Sequence, residues 1–356
     1  MGRLEGWPEG KLNDCRAPDP PRIGRVPLPL AQLPVRDKIH AWTAYRRTNA
    51  IGLVDAPRAV GLWHLASLDA PTVAVLWSLA FAWAGQVRLA DRVLLVLALT
   101  VWCAYVCDRL LDARVLGARA ALPPSARSGL RERHFFHWRH RRLLVPVAAM
   151  VACVAGLTAV TFLPPFARER GLVLGAAALV YFSGVHGAPR VQRWRRTFSW
   201  LASKELLVAV LFTAGCILPA WSRLHALGAQ DFSRVWFWIS AVYFAGLAWL
   251  NCWCIARWEC GDETGSDRFD QEDQPCFERT RQRTNFLAAL LVAFAGLLLA
   301  VVASTLHPRS AELILAGAAS ALLLALLDRV RTRMTPLALR AASDLVLLTP
   351  LLLFLR

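Results

Sequence analysis

Asp108 and Asp112 stand four residues apart where an apolar run ends, in a stretch that begins Trp102, Cys103, Ala104, Tyr105 and includes Arg109 between the two acids. On a helix of about 3.6 residues per turn they lie on one face, one above the other. Two carboxylates placed so can share a divalent cation. The run before them, about Val93 to Cys107, is apolar enough to enter a bilayer. The alternative is a solvated helix terminus, with Asp112 and Arg114 in water, because ionisable residues near the end of a membrane helix are common.

A second acidic place follows another apolar run, where Asn251, Glu259, Asp262 and Glu263 stand after Leu250. Setting Ala104 against Asn251 and Asp112 against Glu259 reads as an internal repeat, with the two patterns of acids differing. Asp267, Asp270, Glu272 and Asp273 beyond it form a solvated acidic run. Their spacing and the missing closing Glu exclude an EF-hand.

The elements that must position these acids are membrane spans. Hydrophobic residues make up 56% of the 356, with 15 Trp and a mean hydropathy of +0.40, above the share of about 45–50% usual in soluble domains. The net charge of +16 comes from short basic tracts between apolar runs and not from one basic face, so no nucleic-acid partner is expected. Cysteines inside apolar runs, among them Cys103, Cys153 and Cys216, read as small hydrophobes. No signal peptide is expected, since the start lacks an apolar core and a small-residue cleavage site.

Nine spans are expected, at about 71–89, 93–107, 143–163, 171–185, 205–220, 235–256, 286–305, 311–327 and 337–355. The fourth and fifth are short against the roughly 20 residues of a straight crossing. Asp69 is expected to cap the first, with Pro71 in its first turn. Most of the Lys and Arg between spans follow even-numbered ones, which places those loops and the N-terminus in the cytoplasm. Residues 1–60 read as a cytoplasmic tail with an interfacial helix near Ile39 and Trp42, and residues 61–356 as the membrane domain.

From these residues the chain resembles the UbiA superfamily of intramembrane prenyltransferases. Asp108-x-x-x-Asp112 is similar to part of the family's first acidic motif, and Asp69-Ala70-Pro71 is similar to its first-helix start. Ala104 stands where the family has Asn or Asp, and the second motif is reduced to Asn251, Glu259 and Asp262. The resemblance implies an all-α integral membrane fold of nine transmembrane helices, two four-helix repeats plus one, around a central apolar cavity. It also implies transfer of a prenyl group from an isoprenoid diphosphate to a lipophilic acceptor, such as an aromatic, in the cell inner membrane.

What it implies residue by residue is a Mg2+ held by Asp108 and Asp112 and a second held or oriented by Glu259, Asp262 and Asn251. Lys204, Arg193 and Arg109 would bind diphosphate, and Tyr105, Trp253 or Trp258 would face the carbocation. Magnesium takes one or two carboxylates plus phosphate oxygens, and arginine forks hold remaining phosphate charge. The rivals are a terpene cyclase with no acceptor, a non-catalytic lipid or quinone binder, and a transporter whose acids carry ions. Transport would put acids deep in several spans, of which Asp344 is a scattered instance.

Other constellations read more plainly. His134, His137 and His140 belong to an amphipathic segment on the cytoplasmic surface in preference to a metal trio. Cys252-x-Cys254 lacks the paired spacing of a zinc site. His186 reads as interfacial. There is no Walker loop, dinucleotide fingerprint or nucleophile elbow.

Overall fold

The computed structural model describes residues 54–119, 132–186, 204–227, 231–263 and 274–355. Contacts divide the chain into Met1–Asn49 and Ala50–Arg356, and every described residue belongs to the second unit. The described residues form helices α1 (Arg58–Leu65), α2 (Asp69–Ala84), α3 (Asp91–Arg119), α4 (Glu132–Phe162), α5 (Pro165–His186), α6 (Lys204–Ala226), α7 (Asp231–Glu263), α8 (Gln274–Leu306), α9 (Pro308–Val330) and α10 (Pro336–Leu345). A 3-10 stretch, Val346–Phe354, continues α10. Pro350 inside that stretch has no N–H to give to a ladder.

Among the described residues seven helical segments are long and apolar enough to cross a membrane: α3, α4, α6, α7, α8, α9 and α10 with its 3-10 continuation. The pair α1 and α2, bent by 86°, makes an eighth if it is one span. The protein is therefore a multi-pass, all-α membrane protein. The helix α5 carries Arg168, Glu169 and Arg170 near its start and is not among these segments.

Several helices run past the apolar stretches that announce them, because a helix satisfies its own backbone in lipid or in water. The clearest case is α4, which runs unbroken through Pro146 from Glu132. The expected surface segment at His134, His137 and His140 is thus the first part of a spanning helix.

The core gathers around α2, α6, α7 and α9. Trp77 stacks on Phe244 at 3.9 Å between ring centres, and Phe81 packs against Phe237 and Phe244. The Trp77 indole Nε1 donates to the Leu347 carbonyl at 2.9 Å, giving this buried N–H a partner and fastening the last stretch to α2. Within its apolar window α9 is 67% buried, whereas α3 and α4 are 11% buried. So α9 is an inner helix, α4 leaves many apolar side chains exposed, and those of α3 are mostly half-buried.

Small residues set the closest approach. Tyr243 of α7 lies over Gly296 of α8 and Gly317 of α9, where an added Cβ would overlap its ring or hydroxyl. Its hydroxyl donates to the Val292 carbonyl at 3.1 Å. This is the small-residue packing that lets membrane helices meet without a hydrophobic driving force between them.

Candidate functional site

The site begins with the backbone that carries α1 to α10. Val54 N–H donates to the Arg333 carbonyl, and Thr335 N–H donates to the Val54 carbonyl at 2.9 Å. The Thr335 hydroxyl donates to Asp55 Oδ1 at 2.9 Å and also accepts from Ala338 N–H, capping α10 ahead of Pro336. The strand-like pairing holds the start of α1 beside the start of α10.

Between α1 and α2 the chain turns through Ser67, whose φ of 62° is left-handed. A non-glycine residue pays for this conformation, which persists where its surroundings over-determine it. Ser67 is fully buried. Its hydroxyl accepts from Arg109 Nη1 at 3.1 Å and lies 3.3 Å from His137 Nε2. From α3, Trp102 Nε1 donates to the Ala66 carbonyl at 3.0 Å.

The bend faces His64 of α1 toward Asp69 of α2 and Asp344 of α10. His64 Nδ1 lies 2.7 Å from Asp69 Oδ2 and 3.2 Å from Asp344 Oδ2. Neither contact follows the ring N–H direction, and Nε2 has no hydrogen-bond partner among the described residues. Arg109 completes the network, its Nη2 3.2 Å from Asp69 Oδ2 and its Nη1 donating to the His64 carbonyl at 2.6 Å. His64 is 1%, Asp69 2% and Arg109 6% exposed, whereas the Asp344 side chain is 20% exposed. Asp344 is therefore the most accessible member of the cluster.

More charge collects at this end of the bundle. Tyr105 of α3 lies within electrostatic reach of Asp69, Arg109 and Asp344. Cys252 of α7 is likewise reached by Asp344, Arg340, Lys204 and Glu205. Helices α7, α8 and α9 are tied to one another by further contacts. Trp258 Nε1 donates to Asp328 Oδ1 at 2.7 Å, Arg331 pairs with Asp328, and Arg329 covers the Phe286 ring.

Several sequence-derived site residues fall here and others do not. Asp108 and Asp112 are half-buried on one side of α3, while Arg109, with Val106 and Ala113, is on its buried face. Arg109 makes its contacts with Asp69, Ser67 and the His64 carbonyl. Asp69 is not the cap of α2: Leu68 holds that position, and Asp69 Oδ1 accepts from the N–H of its neighbour Ala70 at 2.9 Å. Its other oxygen faces His64 and Arg109, which burial makes the more consequential contact.

Lys204 is the first residue of α6 and half-buried. Asn251 is 5% exposed, and its Oδ1 has no hydrogen-bond partner among the described residues. Arg193 and the side chains of Glu259, Asp262, His134 and His186 lie outside the described residues. His137 turns inward to Ser67, whereas His140 Nδ1 meets the Phe136 carbonyl of its own helix at 2.9 Å, so these two histidines diverge.

Sequence reasoning passed over His64, Ser67 and Asn285, and treated Asp344 as isolated. The signal for Asp344 was available, an acid within an apolar span. Asn285 is fully buried with both amide atoms unpartnered among the described residues. Among those residues, His64, Asp69 and Asp344 form a group of acids and imidazole close enough to share one ion, their ligand atoms within 4.8 Å of one another.

A separate apolar groove of about 820 Å³ lies between α7 and α8, lined by Trp238, Val242, Tyr243, Val292 and Leu299 with Arg234 at one end. Its α7 residues belong to the first half of that helix, away from Cys252 and Trp258. The chain matches no family model, no curated protein and no solved structure.

Proposed function

We propose that the chain is a nine-span, UbiA-like prenyltransferase that moves a prenyl group from an isoprenoid diphosphate to a lipophilic acceptor. The observation that carries this reading is the gathering of Lys204, Arg340, Asp344 and Tyr105 about Cys252, with Asp108 and Asp112 one to two turns beyond Tyr105 along α3. A diphosphate needs such a gathering, and a prenyl chain needs the apolar interior beyond it. Asn251 adds a buried, unpartnered amide oxygen on α7, the helix that the sequence repeat sets against α3. Counting the 22-residue α5 as a crossing gives nine spans with the bent pair as the first. The basic loops then put this end of the bundle in the cytoplasm.

Asp108 and Asp112 are oxygen donors on one helix face, and their chemistry fits Mg2+, which would be held by these two, with Glu259 and Asp262 of α7 as the second acidic place. When bound, the ion supplies charge to stabilise the departing diphosphate. The chain's own residues do the rest. Lys204 and Arg340 attract the phosphates, and the apolar walls exclude water from the cationic prenyl group.

The test is Mg2+-dependent diphosphate release from geranyl, farnesyl and geranylgeranyl diphosphates by the protein in lipid. The expected result is release by the wild type and loss in Asp108→Asn and Asp112→Asn. Release that is absent, or unchanged in both variants, rejects the reading. A second reading rests on the His64–Asp69–Arg109–Asp344 network, since ionisable groups buried among spans also mark ion pathways. Proton or cation flux into proteoliposomes, abolished by Asp344→Asn, would favour it.

A further inference from the structure

The geometry points to a site for a divalent first-row metal ion at His64, Asp69 and Asp344, distinct from the magnesium positions on α3 and α7 and independent of the prenyl-transfer reading. Three observations converge on it. First, two carboxylate oxygens meet one ring nitrogen at 2.7 and 3.2 Å. A proton on Nδ1 can point at only one oxygen, and here the N–H direction serves neither. An ion in front of Nδ1 meets all three donors. Ligand atoms about 2.0–2.2 Å from a shared ion stand roughly 2.8–3.5 Å apart at octahedral or tetrahedral angles, close to the two nitrogen–oxygen separations, and all three ligand atoms lie within 4.8 Å of one another.

Second, His64 is only 1% exposed, its Nε2 lacks a hydrogen bond among the described residues, and its Nδ1 meets both carboxylates off the N–H direction. Buried polar groups are nearly always well paired, so a buried ring with its lone-pair edge turned to two carboxylates suits a shared ion. Third, the charges are compatible with a cation: the cluster holds two carboxylates and one guanidinium, so it carries one net negative charge once the imidazole is neutral, as a metal ligand must be.

One imidazole nitrogen with two carboxylates suits Mn2+, Fe2+ or Zn2+ better than Ca2+ or Mg2+, which favour all-oxygen shells. Arg109 supports the site from behind, holding Asp69 Oδ2 at 3.2 Å and the His64 carbonyl at 2.6 Å, as partners behind metal ligands do. The partly exposed side at Asp344 leaves a position for water or an oxygen ligand. The ion would join α1, α2 and α10, the first and last helices described.

The experiment uses the full chain in detergent, stripped with chelator and then desalted after exposure to Mn2+ or Zn2+ alone, with no diphosphate present. Retained metal is measured by mass spectrometry, and the melting temperature is measured with and without ion. The expected result is close to one tightly held ion per chain and a higher melting temperature with the ion. His64→Gln and Asp344→Asn should weaken retention by more than about tenfold, and Asp91→Asn, at an exposed acid at the start of α3, should leave it unchanged. If these variants do not fold, Asp344→Glu keeps a carboxylate and should bind more weakly than the wild type. Absence of retained metal together with no thermal shift in the wild type, or retention unaltered by every site variant, overturns the proposal. Because the readout is metal alone, it is unaffected by failure of the prenyl-transfer reading.

Discussion

Arg109 and Asp69 form a buried ion pair, Nη2 to Oδ2 at 3.2 Å, that ties α3 to the first turn of α2. Three of the contacts made by the Arg109 guanidinium, to Asp69, Ser67 and the His64 carbonyl, come from the bend between α1 and α2.

Removing one partner of such a pair leaves the other charged and buried, at a cost of about 3–5 kcal/mol. Arg109→Met should therefore lower stability by about that amount in a thermal or denaturant melt in detergent. Arg109→Lys should recover little, because an ammonium cannot reach the three acceptors in the planar fork of a guanidinium. Full recovery by lysine would show that charge alone matters there.

Ser67 combines a left-handed backbone with a buried hydroxyl, and two substitutions separate the contributions. Ser67→Ala loses the hydroxyl and keeps the backbone cost, whereas Ser67→Gly loses the hydroxyl and relieves that cost of about 1–2 kcal/mol. Both variants should melt below the wild type, with glycine above alanine. Reversal of that order would mean that the bend does not strain the chain.

Tyr243 occupies the space a side chain at Gly296 would need. Gly296→Ala should cost about 1–3 kcal/mol as overpacking. Combined with Tyr243→Leu, it should cost less than the two changes added, as expected for residues in contact. Additive melting shifts would mean that the tyrosine moves aside freely.

Trp258 donates to Asp328 and so links α7 to α9. Trp258→Phe keeps the ring and removes the N–H, and should cost about 1.5–3 kcal/mol, the worth of a hydrogen bond to a charged group. Arg331, 3.5 Å from the same carboxylate oxygen, keeps Asp328 from being left alone, which favours the lower end of that range. A melt unchanged by the substitution would place the indole hydrogen bond outside the folded state.

The sequence by itself determined that this is a helical membrane protein and where its apolar segments lie, because the length and hydropathy needed to cross a bilayer are local properties of the chain. It also marked Asp108, Asp112, Lys204 and Asn251, since acids, a lysine and an amide at the ends of apolar runs stand out one residue at a time. Only the tertiary structure decided which of these face one another. Asp69 reads as a helix cap from its place before Ala70 and Pro71, Asp344 as an isolated acid, and His64 as nothing in particular. They meet because Val54 and Thr335 pair, Ser67 turns α1 through the bend, and Arg109 reaches across from α3. Helical periodicity orders neighbours along one segment, whereas the contact between the first and last helices is set by packing that no local pattern encodes.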